Sequence, residues 1–226
     1  TKMWITNGSV ADVAVVWAGT DEGIRGFVVP TDTPGFSANV IHRKLSLRAS
    51  ITSELVLEDV RLPSDALLPA SRGLGSPLSC LNEARYGIVW GAAGAARACY
   101  EAALDYTLSR EQFGGPIAGF QLTQRKLADM VVDVNHAGMT ALRIGRLKDR
   151  GECHHNHVSF GKFSCVAAAQ RVAATARSVH GANGITLEYP VLRHMLNLET
   201  VATYEGTEEI HALSIGQAVT GLSAFR

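Results

Sequence analysis

Three short clusters hold the residues best suited to chemistry. Tyr204-Glu205-Gly206-Thr207 places a carboxylate at the entrance to the last helical stretch. Gly206 removes side-chain bulk beside it, and Thr207 is of a type that caps the Glu208-Glu209-Ile210 turn. A glutamate there can act as a general base, or it can simply complement the dipole at a helix start; on chemistry alone the second reading is the stronger. Arg110-Glu111-Gln112-Phe113-Gly114 joins a cation, an amide and an aromatic ring in one interhelix connection, which is equally an ordinary loop with a buried Phe. His180-Gly181-Ala182-Asn183-Gly184-Ile185 is small enough for a phosphate-bearing ligand to approach the backbone, and glycine also explains it as a helix stop.

Other polar clusters carry less. Cys153-His154-His155-Asn156-His157 contains zinc-ligand types, but neighbouring residues in a five-residue run rarely close one tetrahedral site, and no metal is expected. His42, His194 and His211 read as packing or surface histidines. Cys80, Cys99, Cys153 and Cys165 show neither a C-x-x-C spacing nor the density of a disulfide framework, so they are expected as reduced thiols.

The elements that must position these residues change character along the chain. Residues 13–17, 24–29, 39–41 and 54–60 are short β-branched runs, separated by Asp/Gly/Pro breaks that read as turns. Asp21-Glu22-Gly23 is expected at a hairpin tip. After Pro77, apolar residues recur at three and four. Leu127, Val131, Val134, Ala137, Ala141, Ile144 and Leu147 mark one face of a long helix. Helices are predicted at 78–109, 121–150, 157–179, 191–198 (a short one) and 207–221. The fold class is therefore α+β, a partial β-barrel or sheet domain (1–72) followed by an antiparallel four-helix bundle (73–226). The opening Trp4-Ile5-Thr6-Asn7 already reads as a strand with no earlier element to pair with, so residues upstream are expected.

The 21 basic and 21 acidic residues cancel and form no long Lys/Arg block, which argues against a nucleic-acid groove or a polybasic membrane anchor. No apolar run approaches the roughly 20 residues of a bilayer span, and Thr1 to Asn7 lack the regions of a signal peptide. A soluble intracellular protein is expected, cytoplasmic if bacterial and mitochondrial matrix if eukaryotic.

Taken in order and spacing, Trp4-Ile5-Thr6, Arg110 to Gly114, Gly181 to Gly184 and Tyr204 to Thr207 resemble the acyl-CoA dehydrogenase family over essentially the whole chain. Leu45 to Ser50, Ala84 to Ile88, Lys126 to Met130 and Ile210 to Leu213 resemble its glutaryl-CoA type in particular. Ala182 stands where the family has a second glycine, and the family's amino-terminal helical domain is absent.

The resemblance implies FAD as cofactor and Glu205 as the base that takes the α-proton of an acyl-CoA while the β-hydrogen leaves as hydride to the flavin. It implies that the Glu205 N–H and a flavin ribityl hydroxyl bind the thioester oxygen. Trp4, Ile5 and Thr6 would lie against the flavin ring. Arg110, Gln112, Phe113, Gln121, Ser178, Val179, His180, Gly181, Ala182 and Thr207 would contact FAD, several of them serving a neighbouring chain's flavin. Leu78, Asn82, Arg85, Tyr204, Gly206 and Phe225 would contact substrate. The expected partners are electron-transferring flavoprotein and sister subunits in a homotetramer, a dimer of dimers. Glutaryl-CoA, with decarboxylation to crotonyl-CoA, is the leading substrate. Another short, branched or medium acyl-CoA, or a non-catalytic assembly role, remains open.

Overall fold

The structure is a computed structural model in which residues 1–225 are described. The chain divides into two compact units, Thr1–Leu81 and Asn82–Arg226.

The first unit is built from strands whose β-branched residues suit a pleated surface. β1 (Lys2–Thr6), β2 (Val13–Thr20), β3 (Gly23–Pro30), β4 (Phe36–Val40) and β5 (Thr52–Leu57) form a hairpin, β2-β3, and a three-stranded antiparallel sheet in the order β1-β5-β4. Asp21 and Glu22 make the hairpin tip, closed by the Thr20 hydroxyl, which donates to the Gly23 carbonyl at 2.7 Å. The partner of β1 comes from later in the chain: Ile5 lies opposite Ser53 and Thr6 opposite Thr52. The strand read as lacking an earlier partner thus pairs with one that follows it in the chain. The register slips between Lys2 and Ile5, and Trp4 sits in that irregularity with φ 62°.

Helix α1 (Gly75–Ser109) starts in the first unit and continues into the second. A two-strand turn, β6 (Glu111–Gln112) and β7 (Gly115–Pro116), leads to α2 (Gln121–Asp149), α3 (His155–Val179), α4 (Val191–Thr203) and α5 (Glu208–Thr220). The predicted face of α2 is the one that packs: Ala137, Ala141, Ile144 and Leu147 are buried, with Met130 added. Glu83 near the start of α1 pairs with Lys148 at the end of α2 at 2.7 Å, and Asp133 of α2 pairs with Arg171 of α3 at 2.7 Å. Helix α2 is thus antiparallel to both neighbours.

Small residues let these helices close up. Ala92, Ala96, Ala169, Ala173 and Ala176 are buried together with Val89, Val158 and Val172. At Gly161 a Cβ would run into Ile144 and would stand 2.9 Å from Val89, so three helices meet where only glycine fits. Helix α4 outruns its predicted end by five residues, to Thr203. This brings the chain to Tyr204 directly off its last turn. Among the described residues no helix is long and apolar enough to cross a membrane.

Candidate active site

The turn between α4 and α5 holds the site. Glu205 adopts φ 53° and Gly206 φ 94°. A glutamate in the left-handed region costs roughly 1–3 kcal/mol, so it persists only where neighbours over-determine it. Two cations do so here. Lys162 of α3 donates to the Tyr204 carbonyl at 2.6 Å and to the Gly206 carbonyl at 2.5 Å, and Arg85 Nε of α1 donates to the Glu205 carbonyl at 2.6 Å. Three successive carbonyls are therefore held by charge-assisted bonds, each worth about 1.5–3 kcal/mol, which together outweigh the backbone strain. Gly206 is required by space as well as by φ: a Cβ there would stand 3.0 Å from His211 Nε2 and 3.2 Å from an Arg85 terminal nitrogen.

The electrostatics favour a base. Burial pushes the Glu205 carboxyl above the ordinary glutamate range, and the opposing charges of Lys162 and Arg85 do not cancel that effect. Glu205 Oε2 is buried without a hydrogen-bond partner. The Glu205 N–H is likewise not taken up by any other group among the described residues. Burial lowers the Lys162 ammonium to about 8, with Glu205 pulling it up and Arg85 pulling it further down. His211, buried on α5, is held down to about 4 by burial first and then by Lys162 and Arg85, so its ring is neutral at pH 7. The Tyr204 phenol is pushed up by burial and by Glu205.

A cavity of about 290 Å³ lies between α1 and α4, lined by residues that include Gly87, Ile88, Gly91, His194, Asn197, Val201 and Tyr204. Asn82 leaves a buried, unpartnered Oδ1 on the first turns of α1 in this unit.

The other clusters fall at two further places in the second unit. Arg110 accepts at its carbonyl from Ile117 N–H at 2.8 Å and so closes the β6-β7 turn. Gln112 is exposed on that turn, Phe113 is 96% exposed at its tip with φ 53°, and exposed Gln121 opens α2. At the far end of α3, Ser178, Val179, His180, Gly181 and Ala182 run into a 3-10 turn over Gly181–Ile185. The His180 ring stacks on Tyr106 at 4.4 Å, and Asn183 donates to the Tyr106 hydroxyl at 3.1 Å. Trp4, Ile5, Thr6 and Leu78 lie in the first unit, with Trp4 62% exposed and Leu78 also exposed. Phe225 is half exposed near the end of the chain.

Residues 71–220 match the family described as acyl-CoA dehydrogenase, C-terminal domain, and residues 1–60 match acyl-CoA dehydrogenase, middle domain. The chain belongs to the acyl-CoA dehydrogenase family. Over 100% of its length it is similar to glutaryl-CoA dehydrogenase from Mycobacterium smegmatis, at 66% identity and a TM-score of 0.98, covering 58% of that chain. A glutaryl-CoA dehydrogenase of the same organism in complex with FADH2 gives 60% identity and a TM-score of 0.98, again over 100% of this chain and 58% of that one. The mitochondrial short-chain specific acyl-CoA dehydrogenase of Bos taurus is 36% identical over 222 residues, 95% of this chain and 54% of the bovine protein. The chain thus spans about half the length of the acyl-CoA dehydrogenases it matches.

One sequence expectation for this site needs revision. Thr207 occupies the N-cap position of α5 with an extended backbone, but its side chain makes no capping bond to the helix. The Thr207 hydroxyl instead helps to hold the Glu209 carboxyl below the ordinary glutamate range. The histidine run ahead of α3 turns out to serve the helix start: His154 and His157 form a reciprocal capping box there. Sequence reasoning missed Lys162 and undervalued His211. The signal for Lys162 was present, since it falls on the α3 stripe of Val158, Cys165, Ala169 and Val172, where a lysine has no solvent to reach. For His211 only its spacing of four from Thr207 pointed inward.

Proposed function

We propose that the protein is an FAD-dependent acyl-CoA dehydrogenase acting on glutaryl-CoA, with Glu205 as the base. The observation that carries this is the half-buried Glu205 carboxylate, raised in pKa, with Oε2 buried and unpartnered, in a turn whose own N–H is taken up by no group among the described residues. A carboxylate of that kind can take the weakly acidic α-proton of a thioester, and the adjacent N–H can receive the charge that develops on the carbonyl oxygen. The largely apolar cavity that Tyr204 helps to line is of a kind that suits an acyl chain.

The residues present fit FAD. Arg110, Gln112 and Gln121 are exposed donors of the kind that suits a diphosphate and an adenine, and the Trp4 and Phe113 rings are uncovered. In the second unit, the backbone of Ser178 through Ala182 and the Thr207 hydroxyl are further groups of this kind; in the first unit, Ile5 and the Thr6 hydroxyl follow Trp4. When bound, FAD supplies the acceptor for the β-hydrogen as hydride. Tyr204 and Gly206 would flank the thioester, with Leu78, Asn82 and Phe225 along the CoA path. Arg85, first expected on CoA, supports the site by gripping the Glu205 carbonyl.

Glutaryl-CoA is favoured over shorter monoacids because similarity to a glutaryl-CoA dehydrogenase reaches 66%, against 36% for a short-chain enzyme. Oxidation followed by decarboxylation would give crotonyl-CoA, with electrons passed to electron-transferring flavoprotein from a homotetramer. The test is to supply glutaryl-CoA and butyryl-CoA to the purified holoprotein and follow flavin bleaching and CO2 release. Faster bleaching by glutaryl-CoA, with one CO2 per turnover, is expected. Preference for butyryl-CoA would move the assignment to the short-chain enzymes.

A further inference from the structure

We infer that Lys162 is a positioning residue for this oxidation: by holding the Tyr204 carbonyl it aims and polarises the Glu205 N–H that receives the thioester oxygen. The inference rests on the proposed role of Glu205 and adds a second residue to it. In a trans peptide the carbonyl oxygen and the following N–H point in opposite directions. With the Tyr204 oxygen fixed 2.6 Å from Lys162 Nζ, the Glu205 N–H of the same amide must face away from the ammonium, and no group among the described residues takes it up. A cation on the oxygen end of an amide also draws electron density from its N–H, which makes that N–H a stronger donor.

The same ammonium reaches the Gly206 carbonyl at 2.5 Å and so spans Glu205 from both sides. Its stem cannot swing, because Lys162 is 2% exposed, on the α3 face that buries Val158, Cys165 and Val166. The geometry also leaves the base free. The ammonium is taken up by two carbonyls while Glu205 Oε2 has no partner, so Lys162 orders the turn without pairing directly with the carboxylate oxygen that must accept a proton.

The probe is crotonyl-CoA labelled with 13C at its carbonyl, bound to the oxidised holoprotein and read by isotope-edited infrared spectroscopy. In the unmutated protein the carbonyl stretch is expected to fall on binding. Lys162→Met should lose at least about half of that shift and slow anaerobic flavin reduction by at least about tenfold, with KM changed far less, since loss of an oxyanion donor itself costs about 100- to 1,000-fold. Lys162→Arg, which keeps a charged donor, should lose less than Lys162→Met. A folded, flavin-loaded Lys162→Met protein with an unchanged stretch and rate would overturn the inference while leaving the base assignment standing. An unmutated holoprotein that leaves the thioester carbonyl unshifted would sink both.

If Lys162→Met does not fold, the unmutated protein still decides the matter. Lys162 faces Tyr204 and Glu205 on the turn, Arg85 on α1, and Glu208 and His211 on α5. His211, held down to about 4, and the Tyr204 phenol, pushed up, stay neutral between pH 7 and 9, while the Lys162 ammonium, lowered to about 8, changes there. The infrared shift should weaken over that range, and a constant shift would overturn the inference.

Discussion

Glu205 has a φ that side chains avoid, and its neighbour Gly206 has one that only glycine adopts without strain. The turn is therefore sensitive to a single methyl group. Gly206→Ala would add backbone strain of about 1–2 kcal/mol and push its Cβ against His211 and Arg85. It is expected to lower stability by at least that amount in urea unfolding and to slow flavin reduction. A variant with an unchanged midpoint and rate would show that the turn is looser than its contacts indicate. At this scale the sequence displayed the actor and hid its support. Tyr204 to Thr207 stood out by composition, whereas the grip of Lys162 and Arg85 on its carbonyls joins residues 42 and 120 positions apart. No local pattern reports such a distance.

Among the elements, period decided what could be read. The α2 stripe from Leu127 to Leu147 predicted its buried face because a helix repeats every 3.6 residues. The pairing of β1 with β5 could not be read, since strand partnership is non-local. Helix α5 carries a further consequence through His211. Its folded pKa of about 4 lies below the unfolded value near 6.5, so the unfolded chain takes up the proton first. Stability from this group is present above pH 6.5 and lost as pH falls toward 4, by about 2 kcal/mol at pH 5. Glu205, with a raised pKa, acts in the opposite sense. The useful comparison is therefore between proteins that differ only at 211. Between pH 7 and pH 5, His211→Leu should lose about 2 kcal/mol less stability than the unmutated protein. Parallel pH profiles would contradict the buried neutral imidazole.

For the whole molecule, Arg110, Gln112, Phe113 and Gln121 among the proposed cofactor contacts are exposed, with Arg110 at the base of the β6-β7 turn and Gln121 opening α2. Exposure of this kind suits residues that serve a neighbouring subunit's FAD. Arg110→Ala would remove a charge-assisted contact worth about 1.5–3 kcal/mol. Both FAD retention and assembly should weaken, read by flavin content and by light scattering at low protein concentration. Unchanged values in both would confine Arg110 to its own turn. The family itself was legible from four motifs in order, and the α+β plan from the change in periodicity after Pro77. The choice of acyl-CoA was less legible, because the cavity proposed for the acyl chain is lined mostly by glycine, alanine and aliphatic residues that no motif marks.

The most direct test of the central claim is a single turnover of the Glu205→Gln holoprotein with acyl-CoA under anaerobic conditions. The amide keeps the size and the turn but cannot take a proton. Full flavin content with loss of flavin bleaching, by about 1,000-fold or more as expected for removal of an essential base, is the predicted result. Rapid bleaching in that variant would show that another group removes the α-proton.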